Sequence, residues 1–286
     1  MILDVIEYTD PYCTWCWGSE PILRKIQEVY GEQVRIGFRM GGLVKDIGQF
    51  FDPANRIGGK DWYKQVAEHW LEASSRHGMP VDPEIFFDIK DEVFSTYPAN
   101  IAYKSAEMQD ERLAKRFLRR MREAASAERR AIHRLDMQAD LAEEVGLDRD
   151  RFLEDINNGQ AEGAFKKDLA ECRSMGVSGF PTFLIRNQKG ERILLHGYVS
   201  FGSFEAAFTK LADDTLKPRT IVLTEQTVLD LVRRYGKVAP REVGEVFDIT
   251  MEAATGRLEL LRERGLLAEQ KAGNGVFYSV PEDLEE

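Results

Sequence analysis

The feature that most restricts what this chain can fold into is a pair of cysteines, Cys13-Thr14-Trp15-Cys16, set where one secondary-structure pattern gives way to another. Leu3 to Tyr8 is mostly apolar and β-favouring with two acids, Asp4 and Glu7, inside it, and Thr9-Asp10-Pro11 stops the run as a turn. From Cys13 the apolar positions shift to helical spacing, with Trp17, Ile22, Leu23, Ile26 and Val29 on one stripe that ends at Gly31, a C-cap residue. Gln33 to Met40 then alternates and reads as a second strand, parallel to the first because a helix separates them. A strand, a helix that opens on two cysteines, and a second strand form a βαβ unit.

That placement has a chemistry. The amides at a helix N-terminus favour thiolate over thiol, so Cys13 is the expected nucleophile, and a cysteine one turn further on, Cys16, can attack a mixed disulfide formed on it. A structural zinc would need two more ligands, and Cys172 with His69, His77, His133 and His196 scattered along the chain is a poor supply. No metal and no dissociable cofactor are expected, and the four histidines receive no role. Trp15 and Trp17 flank the sulfurs and read as surface anchors for a substrate, with core packing as the alternative for Trp17. Cys172 reads as a small buried hydrophobe.

Between Val44 and Glu171 strand signals nearly vanish, while Trp62–Arg76, Asn100–Gln109, Glu111–Ala127 and Arg130–Val145 carry helical periodicity. Arg116–Arg122 and Glu128-Arg129-Arg130 form a basic streak expected to be a solvated face. Strands return at Thr182–Arg186 and Arg192–His196 around a turn at Asn187-Gln188-Lys189-Gly190, and Ser203–Ala212 reads as a helix. A proline, Pro181 in Gly179-Phe180-Pro181-Thr182, stands directly before the first of these strands. The expected organisation is a βαβ half over residues 1–43, a helical insertion over 44–171, a ββα half over 172–216, and a separate segment over 217–286.

In that last segment Thr224–Tyr235, Pro240–Phe247 and Thr250–Arg264 read as helices, and Leu266–Gln270 with Val276–Val280 flank a turn over Lys271–Gly275. Three helices and a hairpin predict a winged helix-turn-helix, and Pro281–Glu286 is an acidic tail. The fold suggests DNA, but the charge argues against it. Residues 219–286 hold 9 Lys or Arg against 13 Asp or Glu, and three glutamates match three arginines in the presumed recognition helix. A protein-interaction or dimerisation module is therefore preferred, which keeps a homodimer or a protein partner open.

The whole chain repeats that bias. A net charge of −10 disfavours nucleic acid and anionic membranes as partners, and no apolar run nears the roughly 18 residues of a spanning helix. With no basic, apolar leader at the N-terminus, the expected location is the cytoplasm. Three cysteines in 286 residues are too few for a disulfide scaffold.

The strings Tyr8-Thr9-Asp10-Pro11-Tyr12-Cys13-Thr14-Trp15-Cys16-Trp17-Gly18, Glu20-Pro21 and Gly41-Gly42-Leu43 resemble the DsbA-like branch of the thioredoxin superfamily, nearest its cytoplasmic FrnE-type and SpxH-type (ClpXP adapter) members. The resemblance covers about residues 2–215. It implies an α/β thioredoxin fold with a helical insertion, and a thiol–disulfide oxidoreductase that isomerises or reduces disulfides of protein or peptide substrates. Pro181 takes the place of the family's cis-proline, with Phe180 and Thr182 beside it as substrate-contacting residues along with Trp15. Glu7, six residues before Cys13, takes the place of a buried acid that would move a proton during release of the second sulfur. Thr14-Trp15 departs from the proline-containing dipeptides common in the superfamily, which leaves the redox direction open. The SpxH side of the resemblance implies a second class of function, an adapter that presents a regulator to a protease with its cysteines as a sensor. A redox-gated winged-helix regulator is the third.

Overall fold

The structure, a computed structural model, describes residues 2–213 and 215–281; the acidic tail lies almost wholly outside them. Strand β1 (Leu3–Thr9) leads into helix α1 (Thr14–Tyr30) and back to β2 (Val34–Met40), which pairs with β1 in parallel, Leu3 opposite Val34 and Thr9 opposite Met40. β5 (Thr182–Asn187) lies antiparallel on the other side of β1, and β6 (Arg192–His196) lies antiparallel beyond it, giving the order β2-β1-β5-β6. Helix α9 (Phe201–Ala212) closes this part.

The chain between β2 and β5 is helical. It comprises α2 (Trp62–His77), the single turn α3 (Ile85–Asp88), α4 (Tyr97–Gln109), α5 (Glu111–Ala127), α6 (Leu135–Glu144), α7 (Arg149–Asn157) and α8 (Gln160–Ser174). Two-residue strands β3 (Phe51–Asp52) and β4 (Ile57–Gly58) interrupt it, where only helices were expected. The helix expected over Arg130–Val145 begins only at Leu135: Arg129 takes φ +57 to pair with Asp88, and Arg134 is extended at the helix N-cap. One apolar core runs without a break from β1 and α1 through the insertion, joining Val5, Trp17 and Ile26 to Phe86, Tyr103 and Phe117.

The last segment consists of α10 (Glu225–Tyr235), the short β7 (Lys237–Val238), α11 (Pro240–Phe247), α12 (Met251–Glu263) and the hairpin β8 (Ala268–Ala272) and β9 (Gly275–Ser279). Thr224 and Thr250 cap α10 and α12 as their sequence positions suggest, and Pro240 opens α11. The turn expected over Lys271–Gly275 is tighter, only Gly273-Asn274, because Lys271 and Ala272 pair with Val276 and Gly275. β7, not anticipated, adds a third strand beside β9.

These elements own an apolar cluster around Val232, Val243, Phe247 and Leu258, yet they are pressed against the rest of the chain. Arg24 and Lys25 of α1 pair with Glu242 and Asp248, Glu28 with Arg234, and Lys237 with Glu123 and Glu128. The connecting stretch is likewise tied down, with Arg219 N–H donating to Val29 O at 2.7 Å and Lys217 N–H to Gln33 Oε1 at 2.8 Å. The hairpin turn reaches furthest: Asn274 Oδ1 accepts from Val81 N–H at 2.8 Å, Asn274 N–H donates to Val81 O at 3.0 Å, and Phe277 packs edge-on against Trp17.

Candidate active site

Cys13 is the N-cap of α1, and its Sγ accepts the Cys16 N–H at 3.1 Å. This is the contact expected of a sulfur that must carry negative charge at a helix N-terminus. Both cysteines stand as thiols; Cys13 is 5% exposed and Cys16 is sealed. Burial, and then the neighbouring Cys13 sulfur, push the Cys16 thiol well above its ordinary value. The two sulfurs are thus unequal: Cys13 keeps a trace of exposure and accepts a backbone N–H, while Cys16 is sealed and its thiol is pushed up.

The loop that delivers Cys13 is fixed by a residue whose role the sequence reading did not see. Asp10, assigned only to a turn, is fully buried, and its carboxylate accepts from Tyr12 N–H at 2.9 Å, Leu43 N–H at 2.7 Å, Thr96 Oγ1 at 2.7 Å and Asn100 Nδ2 at 2.8 Å. It ties the end of β1 to the Gly41-Gly42-Leu43 segment and to α4.

Glu7 is buried as the family resemblance implies. β1 alternates faces, so Glu7 and Thr9 look toward Arg122 of α5 while Ile6 and Tyr8 look toward Cys172 of α8. The Glu7 carboxyl accepts from Thr9 Oγ1 at 3.0 Å and faces the Arg122 guanidinium at 3.3 Å. Burial pushes it up to about 7, against the pull of Arg122 and with a further push from Glu20. Arg122 corrects the sequence reading: within the supposedly solvated basic streak it is completely buried, bridging Glu7 and Glu20. Its neighbour Arg119 continues the chain of charges to Glu20 and, at 2.9 Å, to Glu242 of α11.

Trp17 is likewise not a surface anchor. It is wholly buried, its Nε1–H donating to Pro80 O at 2.9 Å. Trp15 is the outward member of the pair, half-buried among the rings of His69, His77 and Tyr198 with the Arg76 guanidinium over its face. His77, assigned no role from the sequence, is completely buried with Nε2 3.4 Å from Thr14 Oγ1, so it touches the dipeptide between the cysteines.

The Phe180–Pro181 peptide bond is cis. Tyr8 pairs with Thr182, so Pro181 lies at the end of β5 beside the end of β1 that leads to Cys13. Phe180 is half-buried with its ring on Gly41, where a Cβ would stand 2.0 Å from the ring. Thr182 is buried, its hydroxyl donating to Gly179 O at 2.8 Å. Cys172 sits with Ile6, Tyr8 and Leu184 on the face of the sheet opposite Glu7, its thiol pushed up to about 12 by burial. Among the described residues no three His, Cys, Asp or Glu side chains gather in a way that could hold a metal ion, and no helix is long and apolar enough to cross a membrane.

A thioredoxin family profile matches residues 7–206, the stretch that contains Glu7, both cysteines and Pro181. The chain belongs to the thioredoxin family. Among sequence relatives, the ClpXP adapter protein SpxH of Shouchella clausii is 30% identical over 261 residues, 91% of this chain and 82% of that protein. SpxH of Halalkalibacterium halodurans is 27% identical over 95% of this chain and 87% of its own length. Among solved structures, the cytosolic disulfide reductase DsbM of Pseudomonas aeruginosa superposes with a TM-score of 0.54 at 22% identity, covering 74% of this chain and 94% of DsbM. At that identity DsbM shares the fold, and function must be argued from the site.

Proposed function

We propose that this chain is a thiol–disulfide oxidoreductase of the cytoplasm that reduces or isomerises disulfides in proteins or peptides, with Cys13–Cys16 as its redox couple and no dissociable cofactor. The observation that carries the reading is the Cys16 N–H held on Cys13 Sγ at the start of α1, with Cys16 buried near a carboxyl displaced to about 7. The Cys13 thiolate attacks one sulfur of a substrate disulfide, forming a mixed disulfide and releasing the other sulfur as thiolate. Cys16 then gives its proton to Glu7 and attacks Cys13 Sγ. The product is the Cys13–Cys16 disulfide and a second substrate thiol, so two electrons pass from the pair to the substrate. A cellular thiol of the glutathione or thioredoxin class restores the pair; in isomerisation the substrate's own thiol expels Cys13 and no net electrons move. Phe180, next to Pro181, would meet an extended substrate through its main chain, and Trp15 would offer it a ring face.

The test is the redox equilibrium of the pair against glutathione, with insulin reduction and scrambled-ribonuclease refolding by wild type and Cys13→Ser. Exchange in the wild type that is lost in the variant supports the enzyme; an inert pair refutes it.

One observation favours a second reading. The SpxH relatives align over up to 96% of this chain, the last segment included, and they are named as adapters. In an adapter the cysteines would act as a sensor, and Cys13→Ser would still bind its client. We read the last segment as a winged-helix module used for protein contact. Its hairpin tip is spent inside the molecule on Val81, and its helices carry more acids than bases, so DNA binding, whose signature is a salt-dependent gel shift, is disfavoured.

A further inference from the structure

We propose that His77 is a positioning residue for the redox pair, holding the first turn of α1 through the hydroxyl of Thr14 so that Cys16 N–H stays on Cys13 Sγ. The inference rests on reading Cys13 as the attacking thiol. It assigns a task to the departure noted at the cysteine dipeptide: where a proline would stiffen the turn from within, this chain stiffens it from the insertion.

The geometry specifies the tautomer. His77 is the last residue of α2, where Gly78 turns the chain away at φ +76. Its Nδ1 accepts the Met79 N–H at 3.0 Å, so the ring proton of the neutral imidazole is on Nε2, which donates to Thr14 Oγ1 at 3.4 Å. The ring has no room to swing. It lies over Gly18, one turn below Thr14 on the same face of α1, where a Cβ would stand 2.5 Å from His77 Cγ. The stretch following His77 is held from two further directions, by Trp17 Nε1–H on Pro80 O and by Asn274 on Val81.

The charged groups around the ring agree. Burial, and then the Arg241 guanidinium of α11, push His77 down to about 4, so it is neutral at neutral pH and donates only through Nε2. Arg76 and His69, also on α2, lie against the Trp15 ring.

The two ring nitrogens can be separated by substitution. An asparagine at position 77 reaches as far as Nδ1 and can still take the Met79 N–H, but stops short of Thr14; a glutamine reaches as far as Nε2 and can still donate to Thr14. The readout is the rate of alkylation of Cys13 by iodoacetamide from pH 5 to 10 in the full-length reduced protein, with Cys172→Ala as the common background. We expect His77→Asn and Thr14→Val each to move the profile to higher pH and slow alkylation at pH 7 by roughly two- to tenfold, the range one hydrogen bond spans. His77→Gln should stay near wild type, and the double variant that combines His77→Asn with Thr14→Val should shift no further than either single one, since both remove the same contact. Profiles of His77→Asn and Thr14→Val that coincide with wild type overturn the proposal, as do additive shifts in the double variant. If His77→Asn fails to fold, Thr14→Val and His77→Gln decide. Wild-type protein inert to glutathione and insulin would sink the thiol-exchange reading instead, while the alkylation profiles would still decide the role of His77.

Discussion

Replacing Glu7 by glutamine should change how stability depends on pH, in a direction and by an amount that follow from its burial. The Glu7 carboxyl lies with no exposed surface and titrates at about 7 rather than 4.5. Between those values the folded protein keeps a proton that the unfolded chain has released, so the wild type loses stability as pH rises through this window and has lost it all above pH 7. At ~1.4 kcal/mol for each pH unit, the loss is roughly 3 kcal/mol. Glutamine has no proton to lose, and the variant keeps a constant amide. His77, pushed down to about 4, titrates oppositely, stabilising above pH 6.5 and not below 4, but it is common to both proteins and cancels. The assay is urea unfolding of the reduced wild type and Glu7→Gln at half-unit steps from pH 4.5 to 8. Whatever the fixed offset from losing the Arg122 partner, the variant should gain on the wild type by roughly 3 kcal/mol across the series, with the change centred between pH 5 and 7. A difference independent of pH, or one that moves in favour of the wild type as pH rises, would refute the claim that Glu7 is a destabilised, protonatable acid.

Two other substitutions probe its surroundings. Arg122→Met leaves Glu7 and Glu20 buried without their shared cation and should cost about 3–5 kcal/mol in chemical denaturation, where a solvated arginine would cost almost nothing. Gly273→Ala places a Cβ 2.2 Å from Val81 O at a residue with φ +51, and thermal unfolding should show a loss of about 1–3 kcal/mol; an unchanged melting temperature would mean that the hairpin tip is not seated there.

The parts of this architecture that could be read from the chain are those governed by local periodicity. The change from a β-favouring apolar run to helical apolar spacing at Cys13 located the β1–α1 junction, and Pro240 and Thr250 located the starts of α11 and α12, because caps act within a few residues. The buried charges were not legible in that way. Arg122 stands among exposed basic residues and differs from them only in meeting Glu7 across the fold. The signal that existed was the acids: Glu7 within an apolar strand and Glu20 on a helix of apolar stripe each demand a cation, and a strand-period reading of Glu7 could have prompted the search. For His77 the clue was Gly18. A glycine in mid-helix costs roughly 1 kcal/mol, and next to a cysteine pair it marks the close approach of something large. Asp10 hid within an ordinary turn signal, since nothing in Thr9-Asp10-Pro11 reveals that its four donors come from as far away as Asn100.

Helix α1 has almost no free side. Apart from Trp15, Gln27 and Glu28 its residues are buried, including Arg24 and Lys25, whose charges are met by Glu242 and Asp248. An ordinary peripheral helix can drift on its outer face over evolutionary time; this one is read from both sides, by the sheet and insertion on one flank and by the terminal module on the other. Substitutions along α1 should therefore be tolerated less than those along any exposed helix, and acceptable changes at Arg24 or Lys25 should arise together with changes at Glu242 or Asp248. Lineages that shed the terminal module would have to rewrite the active-site helix, which binds the histories of the two parts into one.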